Sequence, residues 1–238
     1  MSGSQSHSVT PLQEKLNATV RVPGSKSVAA RALVCAALAT GKSSVGNLPT
    51  GDDTVSMLAG LSLLGAQIES HGDTAIFTSG IDVDQGAPIV IDARLAGTTA
   101  RFLTAVSALR AGEVVITGED ALRKRPMHDL HQALSDIGLD VSPLNGAGVL
   151  PVAVKRGEQK SDRVRIPATT SSQFTSALML VAPKLPRGLA IVTEGEVVSQ
   201  SYLDMTVGVQ NSFGVTPIER GENVFRYDAG SYVGAQYE

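Results

Sequence analysis

The sequence predicts an α/β (α+β) protein built as a pseudo-threefold repeat of one α/β unit. Three observations predict it. Three Ala/Leu-rich runs each open on Ser, Thr or Gly-Thr and close at a glycine. Each is followed by a short β-rich piece and a second helical run. Each second run ends at a glycine, and Gly65, Gly138 and Gly214 stand about 75 residues apart.

The elements follow in order. Ser25-Lys26-Ser27 opens the run Val28 to Thr40, which ends at Gly41; Gly97-Thr98-Thr99 opens Ala100 to Ala111, which ends at Gly112; Ser171-Ser172-Gln173 opens Phe174 to Arg187, which ends at Gly188. Ser and Thr are good helix N-caps because their oxygens accept the orphan N–H groups of the first turn, and glycine suits the left-handed cap that closes a helix. The β-rich pieces are Ser43 to Leu48, Glu113 to Gly118 and Leu189 to Glu194. The second helices are Thr54 to Leu64, Met127 to Ile137 and Tyr202 to Phe213. Apolar or alternating residues after their glycines, at 66–69, 139–141 and 215–218, predict strands. Repeated units of this kind pack so that each buries the apolar face its neighbours need. The starts at Ser27, Thr98 and Ser172 are then expected at one end of a compact domain, where helix N-termini favour anions.

Composition sets limits. The 238 residues suffice for a sizeable core, and 42% hydrophobic with 18% charged residues is a globular balance. Aromatics are 4% and Trp is absent, so the core is expected to consist of Ala, Val, Leu and Ile. A net charge of -3 argues against a nucleic-acid or membrane-surface partner and requires any basic site to be local. The one cysteine, Cys35, excludes a disulfide framework and a Cys-rich zinc site, and it is expected to be buried packing. No apolar run approaches the roughly 20 residues that span a bilayer. Met1 to Val9 is polar and lacks a signal peptide's apolar core, so a cytoplasmic protein is expected. His128 and His131, at i,i+3 spacing, are read as surface residues rather than metal ligands, and Asp52-Asp53 and Glu119-Asp120 as loop and capping charges. Neither metal nor cofactor is expected.

The densest chemistry is Pro23-Gly24-Ser25-Lys26-Ser27, with Arg31 one helical turn beyond Ser27 on the same face. Lys26 offers a point charge suited to phosphate and Arg31 a planar fork suited to carboxylate. The spacing is not that of a P-loop.

These residues carry a resemblance. Pro23 to Leu33 (PGSKSVAARAL) resembles the opening signature of the 5-enolpyruvylshikimate-3-phosphate synthases. Leu95 to Leu103 (LAGTTARFL), Leu122 to Met127 (LRKRPM), and Ser171-Ser172-Gln173 with Ser199 and Tyr202 resemble further family segments in the same order. The resemblance implies one globular half of the family's inside-out α/β barrel fold, each half holding three copies of an α/β unit. It implies transfer of the enolpyruvyl group of phosphoenolpyruvate to the 5-hydroxyl of shikimate-3-phosphate, with release of phosphate. By the same resemblance Lys26 is catalytic and lies between the two substrates. Ser27 and Arg31 hold shikimate-3-phosphate, Arg31 by its carboxylate; Ser171, Ser172 and Ser199 bind its phosphate; Tyr202 lies beside its ring. Gln173 contacts both substrates, and Gly97 and Arg125 contact phosphoenolpyruvate.

Ala30, Leu95 and Phe102 depart from the family's usual Asn, Asn and Pro. The resemblance divides the chain into a tail at 1–19 belonging with a second half, a threefold substrate-binding domain at 20–226, and the start of a crossover at 227–238. The second half would supply the acid–base groups and more Arg, and the whole would be a monomer. Two other readings are a UDP-N-acetylglucosamine enolpyruvyl transferase and a noncatalytic anion-binding module. The first usually has a cysteine in the loop matching Gly118 to Met127, and none stands there.

Overall fold

The computed structural model describes residues 8–13, 15–20, 22–167, 169–195 and 199–238. The first unit comprises α1 (Lys26–Leu38), β1 (Ala39–Thr40), β2 (Ser43–Val45), α2 (Asp52–Leu63), β3 (Gln67–His71) and β4 (Thr74–Ser79). The second comprises β5 (Ile89–Asp92), α3 (Gly97–Ser107), β6 (Val114–Thr117), the short α4 (Asp120–Arg123), α5 (His128–Asp136), β7 (Asp140–Pro143) and β8 (Val152–Lys155). The third comprises β9 (Arg163–Pro167), α6 (Ser172–Val181) with a 3₁₀ turn at Ala182–Lys184, β10 (Leu189–Glu194), α7 (Gln200–Ser212), β11 (Glu219–Arg220) and β12 (Val224–Tyr227). Two short strands follow, β13 (Tyr232–Val233) and β14 (Gln236–Tyr237).

The repeat extends to the sheets. Three four-stranded sheets run β14-β2-β4-β3, β5-β6-β8-β7 and β11-β12-β10-β9. In each, one parallel pair (β14 with β2, β5 with β6, β9 with β10) is followed by two antiparallel pairs. The helix caps repeat as well. Ala66, Leu139 and Val215, each directly after the glycine, donate their N–H to the carbonyls of Leu61, Leu134 and Gln210 at 3.1, 3.0 and 3.0 Å. The glycines themselves sit at φ +104, +95 and +77°, the left-handed conformation such a cap requires. One expected strand is displaced. Residues 215–218 do not begin the third unit's outer strand, which is Glu219–Arg220. Val215 is spent on the cap, and Pro217 has no N–H to give a ladder.

The helices lie inside and the sheets outside. Every residue from Ala29 to Leu38 and from Phe174 to Val181 is buried, and α3 is buried except at Thr98 and Arg101. A helix apolar on every side has no face to offer water and must occupy the centre. One continuous apolar cluster joins all three units, from Leu33 through Leu103 to Leu178. The three sheets are open and separate, joined to no common ring, so this is a helical centre walled by sheets rather than a closed barrel.

The end of the chain completes this body. Where β5 and β9 feed directly into α3 and α6, the corresponding edge of the first sheet is filled by β14. β13 pairs with β1. Tyr232 is fully buried, donates to the Leu180 carbonyl at 2.8 Å and accepts from Gln210 Nε2 at 2.7 Å; Tyr227 Oη donates to Gln210 Oε1 at 2.7 Å. Residues 227–238, expected to begin a crossover, thus first pair within the threefold body. The 1–19 expectation falls partly on residues outside those described; 8–13 and 15–19 are exposed and carry no helix or strand.

His131 corrects the surface reading. It is 4% exposed on the face of α5 that also buries Leu130 and Leu134, and neither ring nitrogen has a hydrogen-bond partner, whereas His128 is exposed. Burial, with a smaller contribution from His128, lowers its pKa to about 4. Cys35 is buried as expected, and burial pushes its thiol pKa up.

Candidate active site

Four helix starts are brought together by the repeat. α1 begins after Pro23-Gly24-Ser25, and Gly24 is needed there because a Cβ would stand 1.9 Å from the Asn47 carbonyl oxygen. Ser171 caps α6, its side chain accepting from the Gln173 N–H at 3.2 Å. Ser199 precedes α7 at φ 72°, ψ 48°, a left-handed conformation that costs a non-glycine residue roughly 1–2 kcal/mol. α3 opens on Gly97 itself. The result is a cleft of about 420 Å³ walled by Lys26, Ser27 and Thr98 on one side and Thr169 to Gln173 with Ser199 and Tyr202 on the other. Ser27, Thr98 and Ser172 thus share one cleft, as the repeat requires.

Of the residues singled out from sequence, Lys26, Ser27, Ser171, Ser172, Gln173, Ser199 and Tyr202 line this cleft. Lys26 Nζ lies 3.4 Å from Asp53 Oδ2, on the first turn of α2. Asp53 is therefore more than a capping charge. Arg31 sits beneath the cleft rather than in its wall. It is 1% exposed, and Nε, Nη1 and Nη2 donate to Thr206 Oγ1, the Ser27 carbonyl and Ser176 Oγ at 2.7, 2.8 and 2.9 Å. Its guanidinium carbon lies 5.3 Å from the centre of the Phe102 ring and 5.8 Å from that of Tyr202. Burial lowers its pKa to about 10, partly offset by Tyr202 and Cys35, so it remains a cation at neutral pH.

Gly97 and Arg125 meet at the neighbouring end. A Cβ on Gly97 would lie 3.0 Å from Arg125 Nη1 and 3.4 Å from Arg101 Nη1. Arg101 Nη1 donates to Gln173 Oε1 at 2.5 Å, which connects this pair of guanidiniums to the cleft. Burial lowers the Arg101 pKa, and the positive charge of Arg125 lowers it further. Neither Arg has an acidic partner among the described residues. The arrangement offers cations, hydroxyls and helix N-termini, and among the described residues the carboxylate paired with a cation of the cleft wall is Asp53, on Lys26; this is chemistry for binding anions. Among the described residues no group of three His, Cys, Asp or Glu could hold a metal ion.

Sequence reasoning did not single out Thr169 and Thr170, though they form one hydroxyl run with Ser171 and Ser172. It read Asp53 as a loop or capping charge, because its pairing with Lys26 across 27 residues leaves no local signal.

A family model described as EPSP synthase (3-phosphoshikimate 1-carboxyvinyltransferase) matches residues 11–231. The chain belongs to the EPSP synthase family. Relatives in that family include the 3-phosphoshikimate 1-carboxyvinyltransferase of Shewanella amazonensis, 35% identical over 225 residues that cover 92% of this chain and 52% of that protein. The enzyme of the same name from Methanothermobacter thermautotrophicus is 34% identical over 224 residues, covering 93% and 52%. The pentafunctional AROM polypeptide of Scheffersomyces stipitis is 39% identical over 246 residues, covering 94% of this chain and 15% of that one. In fold, the chain is similar to EPSP synthase from Acinetobacter baumannii, with a TM-score of 0.78 at 22% identity over 91% of this chain and 49% of the other. The chain spans about half the length of the 3-phosphoshikimate 1-carboxyvinyltransferases it matches.

Proposed function

We propose that this chain is the shikimate-3-phosphate-binding half of an enzyme that transfers the enolpyruvyl group of phosphoenolpyruvate to the 5-hydroxyl of shikimate-3-phosphate and releases phosphate, a step of aromatic amino acid biosynthesis. The observation that carries the reading is the single cleft in which Lys26, Ser27, Ser171, Ser172, Gln173, Ser199 and Tyr202 meet. Ser171, Ser172 and Ser199 are hydroxyls at helix starts, suited to the phosphate of shikimate-3-phosphate. Ser27 and Arg31 hold shikimate-3-phosphate, Arg31 by its carboxylate; Arg31 uses three of its five N–H groups on protein acceptors and keeps two. Tyr202 flanks the ring. Gly97, Arg125, Lys26 and Gln173 serve phosphoenolpyruvate, with Lys26 between the substrates as the catalytic cation. No cofactor takes part.

Binding is only part of the work. Transfer moves protons at the shikimate 5-hydroxyl and at the phosphoenolpyruvate methylene carbon, and positioned acid–base groups typically contribute 10²–10⁴-fold each. In this reading those groups come from a second half, with which residues 1–19 belong, and the assembled enzyme is a cytoplasmic monomer. The competing UDP-N-acetylglucosamine reading is disfavoured because the one cysteine is buried in α1 and absent from the 118–127 loop. The test is phosphate release from phosphoenolpyruvate that depends on shikimate-3-phosphate, after mixing the chain with a separately made polypeptide matching the rest of its relatives' length. Saturable shikimate-3-phosphate binding with restored turnover is expected. Binding without turnover in the reassembled protein favours the noncatalytic module, and preference for UDP-N-acetylglucosamine favours the other transferase.

A further inference from the structure

Arg101 has been given no function so far. It projects from α3 toward the start of α6, where its Nη1 donates to Gln173 Oε1 at 2.5 Å and its guanidinium carbon lies 5.2 Å from the centre of the Phe174 ring. Its Nε is buried without an acceptor. Arginine has only donors, so it can hold a carboxamide through the oxygen alone. The Gln173 amide is thereby fixed in one of its two orientations, with its NH₂ group turned away from Arg101. Gln173 also lines the cleft.

We propose that Arg101 is a positioning residue that locks the Gln173 carboxamide with its NH₂ toward the cleft, so that this wall presents a donor to an oxygen of an anionic ligand. A freely turning amide would face that ligand with its oxygen for part of the time and repel it. The charge balance agrees. Arg101 and Arg125 converge on Gly97, where a Cβ would stand 3.4 and 3.0 Å from their Nη1 atoms; neither has an acidic partner among the described residues, and burial first and the charge of Arg125 second lower the Arg101 pKa. An anion seated there relieves that repulsion. The identity of the ligand rests on the reading above; the locking of the amide does not.

The experiment uses the ¹⁵N-labelled chain, with the Gln173 side-chain NH₂ assigned by its loss in Gln173→Ala. Arg101→Met keeps an apolar stem over Phe174 and removes the donor. Without ligand, the Gln173 NH₂ signals are expected to move, and Arg101→Lys, which retains one donor, to restore them in part. With inorganic phosphate and with phosphoenolpyruvate as probes, Arg101→Met is expected to weaken binding about tenfold. Adding Gln173→Ala to Arg101→Met should then cost little more, because the two act as one unit. Unmoved Gln173 signals in Arg101→Met, or losses that simply multiply, overturn the inference. If Arg101→Met does not fold, Gln173→Glu reads the contact from the other side: it keeps an acceptor for Arg101 and should keep the melting temperature while weakening phosphate binding. Unchanged phosphate affinity there overturns the inference too, as does a wild-type Gln173 amide that responds to neither probe. Failure of the function is read separately, by shikimate-3-phosphate binding.

Discussion

In the proposed reading Arg31 carries two tasks that pull in different directions. A guanidinium at 1% exposure without a carboxylate partner is expensive, and it persists because three acceptors and two aromatic faces receive it. Phe102, one of the departures from the family pattern, is one of those faces. Arg31→Ala should therefore lose both stability and shikimate-3-phosphate affinity, since it empties the space between Thr206, Ser176 and the two aromatic rings as well as removing the cation. Lys26 differs: its side chain is 59% exposed and, among the described residues, tied only to Asp53. Lys26→Ala should weaken binding with little change in melting temperature, because exposed ion pairs contribute little. For each variant the affinity loss is expected on the order of 1.5–3 kcal/mol, the worth of a charge-assisted hydrogen bond. NMR titration and a thermal melt on the same samples separate the two cases. Unchanged affinity in both would put the site elsewhere.

At the scale of the element, the helix ends were the most legible feature of the sequence, because a left-handed cap needs glycine and the apolar residue after it. Gly138 makes this testable. It sits at φ +95°, and a Cβ there would lie 2.2 Å from the Glu158 carbonyl oxygen, so Gly138→Ala adds a backbone clash to the roughly 1–2 kcal/mol of left-handed strain. At Gly214 the nearest atom is a Val233 methyl at 3.3 Å. Gly138→Ala should lower the denaturation midpoint clearly more than Gly214→Ala, and equal effects would argue against the backbone contact. Partners distant in sequence were illegible. Nothing local in Gln236-Tyr237 says that it pairs with Ser44-Val45, and the displaced β11 followed from a proline whose consequence depended on the cap before it. His131 was misread for a related reason: i,i+3 spacing with His128 says nothing about which side of α5 faces β9 and α6. Its lowered pKa has a defined sign. The unfolded chain takes up the proton near pH 6.5, the folded chain only near 4, so stability present above about 6.5 is lost as pH falls toward 4. His131→Leu should remove that loss and raise stability at pH 5 by on the order of 2 kcal/mol more than at pH 8. Equal gains at both pH values in urea melts would mean the imidazole is not the titrating group.

At the scale of the molecule, the threefold repeat separates folding from catalysis. Its central helices close one apolar cluster, β14 completes the first sheet, and β13 pairs with β1 and is tied to α7 through the buried Tyr232–Gln210 contact. Residues 1–238 are therefore expected to melt cooperatively on their own. The cleft collects cations, hydroxyls and helix N-termini in that same body, so phosphorylated ligand should still bind. It should bind weakly, because an open cleft leaves water competing for each contact and screening each charge. Turnover asks for more. Among the described residues lining the cleft the ionisable side chains are Lys26, which is paired with Asp53, and Tyr202, and none is a histidine or a carboxylate. In the proposed reading the acid–base groups and the surface that closes the cleft come from a second half, and without them the barrier keeps several kcal/mol that a complete site would remove. The isolated chain should therefore show shikimate-3-phosphate-dependent chemical-shift changes and no phosphate release from phosphoenolpyruvate above background. Robust release by residues 1–238 alone would mean that proton transfer is carried by groups already in this half, with Lys26 and Asp53 the first pair to test by substitution.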